Sequence, residues 1–209
     1  MAGEWLLSLL LIAAPAAATR PPIDECASDP SFATFRDGLR QAVARRDRDA
    51  LLASVSDDIL VNFGGDAGPR EFAAAWGLDR PATSELWQEL EAVLSLGCAR
   101  AEDGSFWAPS LYLQRGEVDE DPYFTLVVIR PGAPLHASAD AASPIVARLE
   151  WDVLQLEADD GADQWLPVTW RDGRRGYVRD SDVRSRFDYR AGFERRGGRW
   201  VMTSFVAGD

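Results

Sequence analysis

The chain has 209 residues, 46% of them apolar, and a net charge of −12. That is enough for one or two domains with a real core, and enough acid to disfavour nucleic acid as a partner. All 22 basic residues are arginine, a coding bias rather than chemistry. The charge is uneven: residues 19–170 hold 12 Arg and 27 acids, a balance of −15, and residues 171–199 hold 10 Arg and 5 acids, a balance of +5. The basic stretch has two readings. It meets an anionic ligand, or it complements the acidic half of its own protein.

The first residues, MAGEWLLSLLLIAAPAAATRPP, carry an apolar run from Leu6 to Ala18 that ends in Ala16-Ala17-Ala18. This layout predicts a secretory signal peptide over 1–18, although Glu4 stands where a Lys or Arg is usual. The run is short for a membrane span, so no stable membrane insertion is expected after cleavage. A periplasmic or secreted location follows. In an oxidising compartment the two cysteines, Cys26 and Cys98, are expected to pair. Neither sits in a C-x-x-C pair, which disfavours thiol redox work and zinc.

Phe32, Phe35, Leu39 and Val43 recur at helical spacing and predict a helix. A charged run, Arg45 to Asp49, breaks the stripe before a short helix through Ala50, Leu51, Leu52 and Val55. Ile59 to Phe63 reads as a strand stopped by Gly64-Gly65-Asp66. Pro69 suits a helix start, and that helix carries Phe72 and Trp76. Ser84 can cap the next helix, whose stripe is Leu86, Leu90, Val93 and Leu94, with Gly97 at its end. Residues 105–113 and 123–130 are strand candidates. The acidic run 117–121 between them reads as a solvated loop, because it lacks the alternating ligands and glycine of a calcium loop.

From Ile145 onward the pattern is short strands and tight turns. Val153, Leu154 and Leu156 precede the charged loop EADDGAD. Trp165, Leu166, Val168 and Trp170 then come at strand-like spacing. Asp172-Gly173 is a two-residue hairpin signal, and Gly176-Tyr177-Val178 restarts a strand. Repeated short strands of this kind suggest a small barrel or sandwich. Phe187 to Val206 reads as a final hairpin about Gly197-Gly198. An isolated hairpin is marginal in water, so it is expected to join strands 59–63, 105–113 and 123–130 in one sheet.

Trp165, Gly173, Gly176, Tyr177 and Val178 stand where the bacterial SH3 (SH3b) family has its tryptophan and its G-x-x-G-aromatic-Val segment. The stretch 126–186 therefore resembles that family, although Pro134 to Ser138 replaces the family's usual Val-Arg-Ser-Gly-Pro-like opening. The resemblance implies a small all-β barrel that serves as a binding module for a peptide or a peptidoglycan fragment. The run QAVARRDRDALLASVSDDILVNF and the closing FERRGGRWVMTSFVAGD resemble a nuclear-transport-factor-2-like domain, a cone of bent sheet wrapped by helices. The expected fold class is α+β. A split domain, 19–125 plus 187–209, is completed by the C-terminal hairpin and carries an inserted SH3-like barrel at 126–186.

The ligand surface is expected at Trp165 and Tyr177, with Trp170 and Trp151 as alternatives because strand register is not readable. A core role for the first two stands beside the binding role. The single histidine, His136, lies in the expected first barrel loop and reads as a surface residue. There is no G-x-S-x-G, H-E-x-x-H, phosphate loop or dinucleotide fingerprint, so neither cofactor nor metal is expected. An acid–base enzyme in the cone is the rival reading. Its candidate acids are Asp57, Asp58, Asp66 and Asp209, and its candidate lining is Trp76, Trp87, Trp107 and Trp200. A structural protein braced by the barrel is the other rival.

Overall fold

The computed structural model describes residues 19–114, 121–157, 164–170 and 173–209. The expected signal peptide, most of the acidic run 117–121, the charged loop at 158–163 and Asp172 lie outside the described residues. Among the described residues the chain is α+β, with four α-helices and two sheets.

Helix α1 (Pro30–Arg45) starts at an Asp29 cap, whose carboxylate accepts the N–H groups of Ser31 and Phe32. Pro30 costs nothing there, since a first-turn N–H has no helical partner. Phe32, Leu39 and Val43 are buried, as the stripe predicted. Asp47 caps α2 (Arg48–Leu52), and strand β1 follows at Val55–Leu60. The strand was expected at 59–63. The cap sets the helix earlier, Val55 enters the sheet, and Asn62 closes a turn by accepting the Gly64 N–H at 2.8 Å. Helix α3 (Pro69–Ala75) and helix α4 (Leu86–Ser95) come next. Glu85 takes the cap position of α4, while Ser84 Oγ accepts the Leu86 N–H and donates to the Trp76 carbonyl.

Strands β2 (Ala99–Arg100) and β3 (Phe106–Ala108) are short. Pro109 has no N–H for a ladder, and Ser110–Tyr112 turns into a 3-10 helix, so the expected strand 105–113 keeps only three residues. Strands β4 (Thr125–Val128), β5 (Ala133–His136), β6 (Ile145–Leu149), β7 (Val153–Leu156), β8 (Trp165–Trp170), β9 (Arg174–Arg179) and β10 (Val183–Ser185) follow. The final hairpin is β11 (Arg190–Arg196) and β12 (Arg199–Val206).

One sheet runs β1-β12-β11-β3-β2, and the other runs β10-β4-β7-β8-β9-β5-β6. The hairpin does join β1 and β3. Residues 125–128 do not join that sheet, because β4 pairs with β7 and β10. Nor is the second sheet closed among the described residues: β6 and β10 are its edges, with β4 and β10 extending it beyond β7. Each sheet has its own apolar cluster. Phe32, Leu90, Phe106, Phe193, Met202 and Phe205 belong to the first. Leu135, Leu149, Leu154, Val168 and Val178 belong to the second.

Cys26 and Cys98 are bonded, with Cα atoms 5.7 Å apart. Gly97 makes this possible. A Cβ on it would stand 2.0 Å from the Ile23 carbonyl oxygen, which accepts the Cys98 N–H at 2.9 Å. Only glycine lets the N-terminal segment lie this close to the end of α4.

Candidate functional site

Strands β8 and β9 pair Trp165 with Arg179, Leu166 with Val178, Pro167 with Tyr177, Val168 with Gly176, and Trp170 with Arg174. Alternation then separates the expected site residues. Leu166, Val168, Trp170 and Val178 face the apolar cluster of the second sheet. Trp165, Pro167, Thr169, Arg175, Tyr177 and Arg179 share the opposite face.

Trp165 and Tyr177 are both half-buried on that face. The Trp165 ring is flanked by the Arg179 guanidinium at 4.5 Å and by the edge of His136 at 5.0 Å. Strand β5 meets β9 at the pair His136 and Tyr177. Gly176 permits this approach, since a Cβ there would stand 2.7 Å from the His136 carbonyl oxygen. Arg175 pairs with Glu157 at 2.9 Å, and the Thr169 hydroxyl also bonds that carboxylate. The face thus offers an indole, a phenol and a guanidinium side by side, suited to flat and amide groups.

His136 is not a surface loop residue. It ends β5, is 5% exposed and packs against Trp165. Its Nδ1 lies 3.4 Å from Ser143 Oγ, but that hydroxyl donates to the Ser138 carbonyl and, among the described residues, no carboxylate orients the ring, so the pair lacks a triad's third member there.

Trp170 lies on the core face, 8% exposed, and donates its indole N–H to Asp152 at 3.1 Å. It leaves no ring surface for a ligand. Trp151 sits in the turn between β6 and β7 with φ +58°, and its carbonyl accepts the Arg20 N–H. The structure therefore puts Trp165 and Tyr177 on one face and Trp170 on the other, and places Trp151 in a turn rather than on either strand.

In the helical part, a cleft of about 450 Å³ is lined by Trp76, Arg80, Thr83, Glu85, Val61 and Tyr189 among others. It holds one carboxylate, Glu85. Asp58 pairs with Arg196, Asp66 accepts from Asn62 Nδ2, and Asp209 accepts from the Tyr123 hydroxyl. None of the candidate acids lines the cleft. Of the four tryptophans named for it, Trp76 does; Trp87 is buried, Trp107 packs on Tyr112, and Trp200 stacks on Phe106. Among the described residues no group of His, Cys, Asp and Glu could hold a metal ion. No helix among them is long and apolar enough to cross a membrane.

Part of the basic stretch is engaged within the protein. Arg184 pairs with Glu89, Arg175 with Glu157, and Arg196 with Asp58 and Glu194. Arg186 and Arg190 differ from these three: among the described residues neither has a carboxylate within 4.0 Å, and, unlike Arg179, Arg195 and Arg199, which also lack one, each has a buried Nε without a partner. Sequence pattern alone could not single them out from the other eight arginines of the stretch.

No protein-family model and no curated protein sequence matches the chain. A crystal structure of a nuclear-transport-factor-2-like protein of unknown function from Pseudomonas putida is similar to it. The match has a TM-score of 0.31 and 12% identity, and covers 88% of this chain and 87% of that one. That score is too low to establish a common fold, and the likeness to a nuclear-transport-factor-2-like protein is a weak one.

Proposed function

We propose that this is an exported, non-enzymatic bacterial protein in which residues 126–186 form an SH3b-like binding module inserted in a split α+β domain, 19–125 plus 187–209. The module takes a peptide, free or as the stem of a peptidoglycan fragment, on the face of Trp165 and Tyr177. The observation that carries this reading is the pairing of β8 with β9, which puts both rings on the face away from the module's own apolar cluster. Extended peptides present alternating side chains and backbone amides, and flat aromatic faces beside polar edges suit both. The Cys26–Cys98 bond accords with an oxidising compartment, and the apolar segment 1–18 with export.

The test is capture of purified peptidoglycan fragments and envelope peptides by the wild type and by Trp165→Ala and Tyr177→Ala. Binding through this face leaves both variants folded, with small melting changes, and weakens capture. Unchanged capture by two folded variants removes the surface. In that case the module only braces the rest of the chain.

A further inference from the structure

Strand alternation in the hairpin sends Tyr189, Ala191 and Phe193 to the helix side of the five-stranded sheet, where they pack in its apolar cluster. Arg190 and Gly192 face the other side. There Gly192 pairs with Ser204 and Trp107, and Arg190 pairs with Val206. Ser204 and Arg190 are thus diagonal neighbours on one face. Both are buried, at 6% and 3% exposure.

Neither is satisfied. Ser204 Oγ has no hydrogen-bond partner, nor has Arg190 Nε. Among the described residues the one hydrogen bond of the Arg190 guanidinium is a long one, 3.4 Å from Nη1 to the Phe187 carbonyl. The remaining compensation is aromatic: the Tyr112 ring at 4.7 Å and the Phe63 ring at 5.6 Å. Arg186 is drawn to the same place. It lies 5.9 Å from the Tyr112 ring, donates to the Tyr112 carbonyl, and also has a buried Nε without a partner. Two guanidinium groups are therefore held against one phenol ring, and among the described residues no carboxylate pairs with either. A buried guanidinium normally has an anion, because desolvating its charge is costly. Phe63 is 53% exposed and is followed by Gly64-Gly65.

We propose that Arg190 and Ser204 bind the carboxylate of a small organic acid with a flat apolar tail, at a site separate from the Trp165–Tyr177 face. A planar carboxylate matches the guanidinium fork, two N–H groups to two oxygens. The Ser204 hydroxyl donates to the same group. Arg186 adds a second positive charge, and the rings of Phe63 and Tyr112 receive the tail. The exposed Phe63 ring is the part that yields on entry, since it is held by neither a hydrogen bond nor full burial.

The experiment uses sodium benzoate as the probe and calorimetric titration of the full mature chain, with sodium chloride at equal ionic strength as control. Wild type is expected to bind benzoate saturably with one site per chain. Arg190→Lys keeps the charge but loses the fork, and weakens binding about tenfold or more. Ser204→Ala removes one neutral hydrogen bond and weakens it about threefold. Trp165→Ala leaves it unchanged, which separates this site from the proposed peptide face. Arg190→Met abolishes it; if that variant does not fold, the Lys and Ala variants carry the comparison. The proposal is overturned if wild type shows no saturable benzoate binding, if chloride reproduces the signal, or if Arg190→Lys binds as wild type does.

Discussion

Arg184 on β10 donates to Glu89 on α4 at 2.6 Å and to the Tyr189 carbonyl at 2.7 Å. One side chain thereby ties the seven-stranded sheet to a helix of the other cluster and to the lead-in of β11. Its guanidinium is buried, while Glu89 keeps partial contact with water. Arg184→Met strands the Glu89 carboxylate and the Tyr189 carbonyl. It is expected to cost about 3 kcal/mol, in the range for removing one partner of a buried pair. Glu89→Gln keeps a hydrogen-bond acceptor and costs less. Urea unfolding of the two variants measures the difference.

The strand β8 supplies an internal contrast. Trp170 is buried and bonded to Asp152, whereas Trp165 sits five residues earlier on the other face. Trp170→Ala is expected to cost about 3–5 kcal/mol, as for a buried tryptophan in a packed core. Trp165→Ala costs distinctly less. Comparable losses in chemical denaturation would place Trp165 in the core and end its role as an open ring.

The Asp29 cap has a pH signature. Its carboxyl is held below the ordinary value of 3.8, first by the Ser31 hydroxyl and then by the Phe32 N–H. A carboxyl lowered in the folded state stabilises the fold above its unfolded pKa, and the contribution is lost as pH falls through the folded pKa. Asp29→Ala is therefore less stable than wild type at neutral pH, and the gap closes below the ordinary carboxylate value. Asp29→Asn keeps a capping oxygen and loses less at neutral pH. Melting curves from pH 7 down to pH 2 follow the gap.

Cys26 and Cys98 are 72 residues apart and bonded. Labelling under denaturing conditions is expected to find no free thiol in protein purified from an oxidising compartment. Reduction, or replacement of both by Ser, costs about 4 kcal/mol by the loop-entropy relation. The segment around Ile23 then detaches from Gly97, which proteolysis near Ile23 would detect.

Strands β11 and β12 are interior to the five-stranded sheet, between β1 and β3. Deleting 187–209 removes Phe193, Met202 and Phe205 from the core and leaves β1 without its partner. The fragment 19–186 is expected to lose the helical part, read as a large drop in helical circular dichroism.

Local chemistry was legible in the chain alone. The stripe of Phe32, Leu39 and Val43, the stripe of α4, the Gly197-Gly198 hairpin, the two-cysteine pairing and the α+β class follow from spacing, turn residues and count. These depend on neighbours within a few residues, or on there being one possible partner. Strand limits were less legible, because Asp47 as a cap and Pro109 as a ladder break move the edges of β1 and β3. Two things came from tertiary structure. Register decided that Trp165 and Tyr177 share a face from which Trp170 is excluded, since a shift of one residue exchanges the faces of a strand. Long-range pairing decided that 125–128 joins β7 and β10, that His136 packs under Trp165, and which of the many arginines find a carboxylate. Arg184 and Arg190 look alike in sequence, six residues apart in one basic stretch. Only the packing of α4 against β10 gives the first its Glu89, and only the second face of the hairpin leaves the other against the Phe63 and Tyr112 rings.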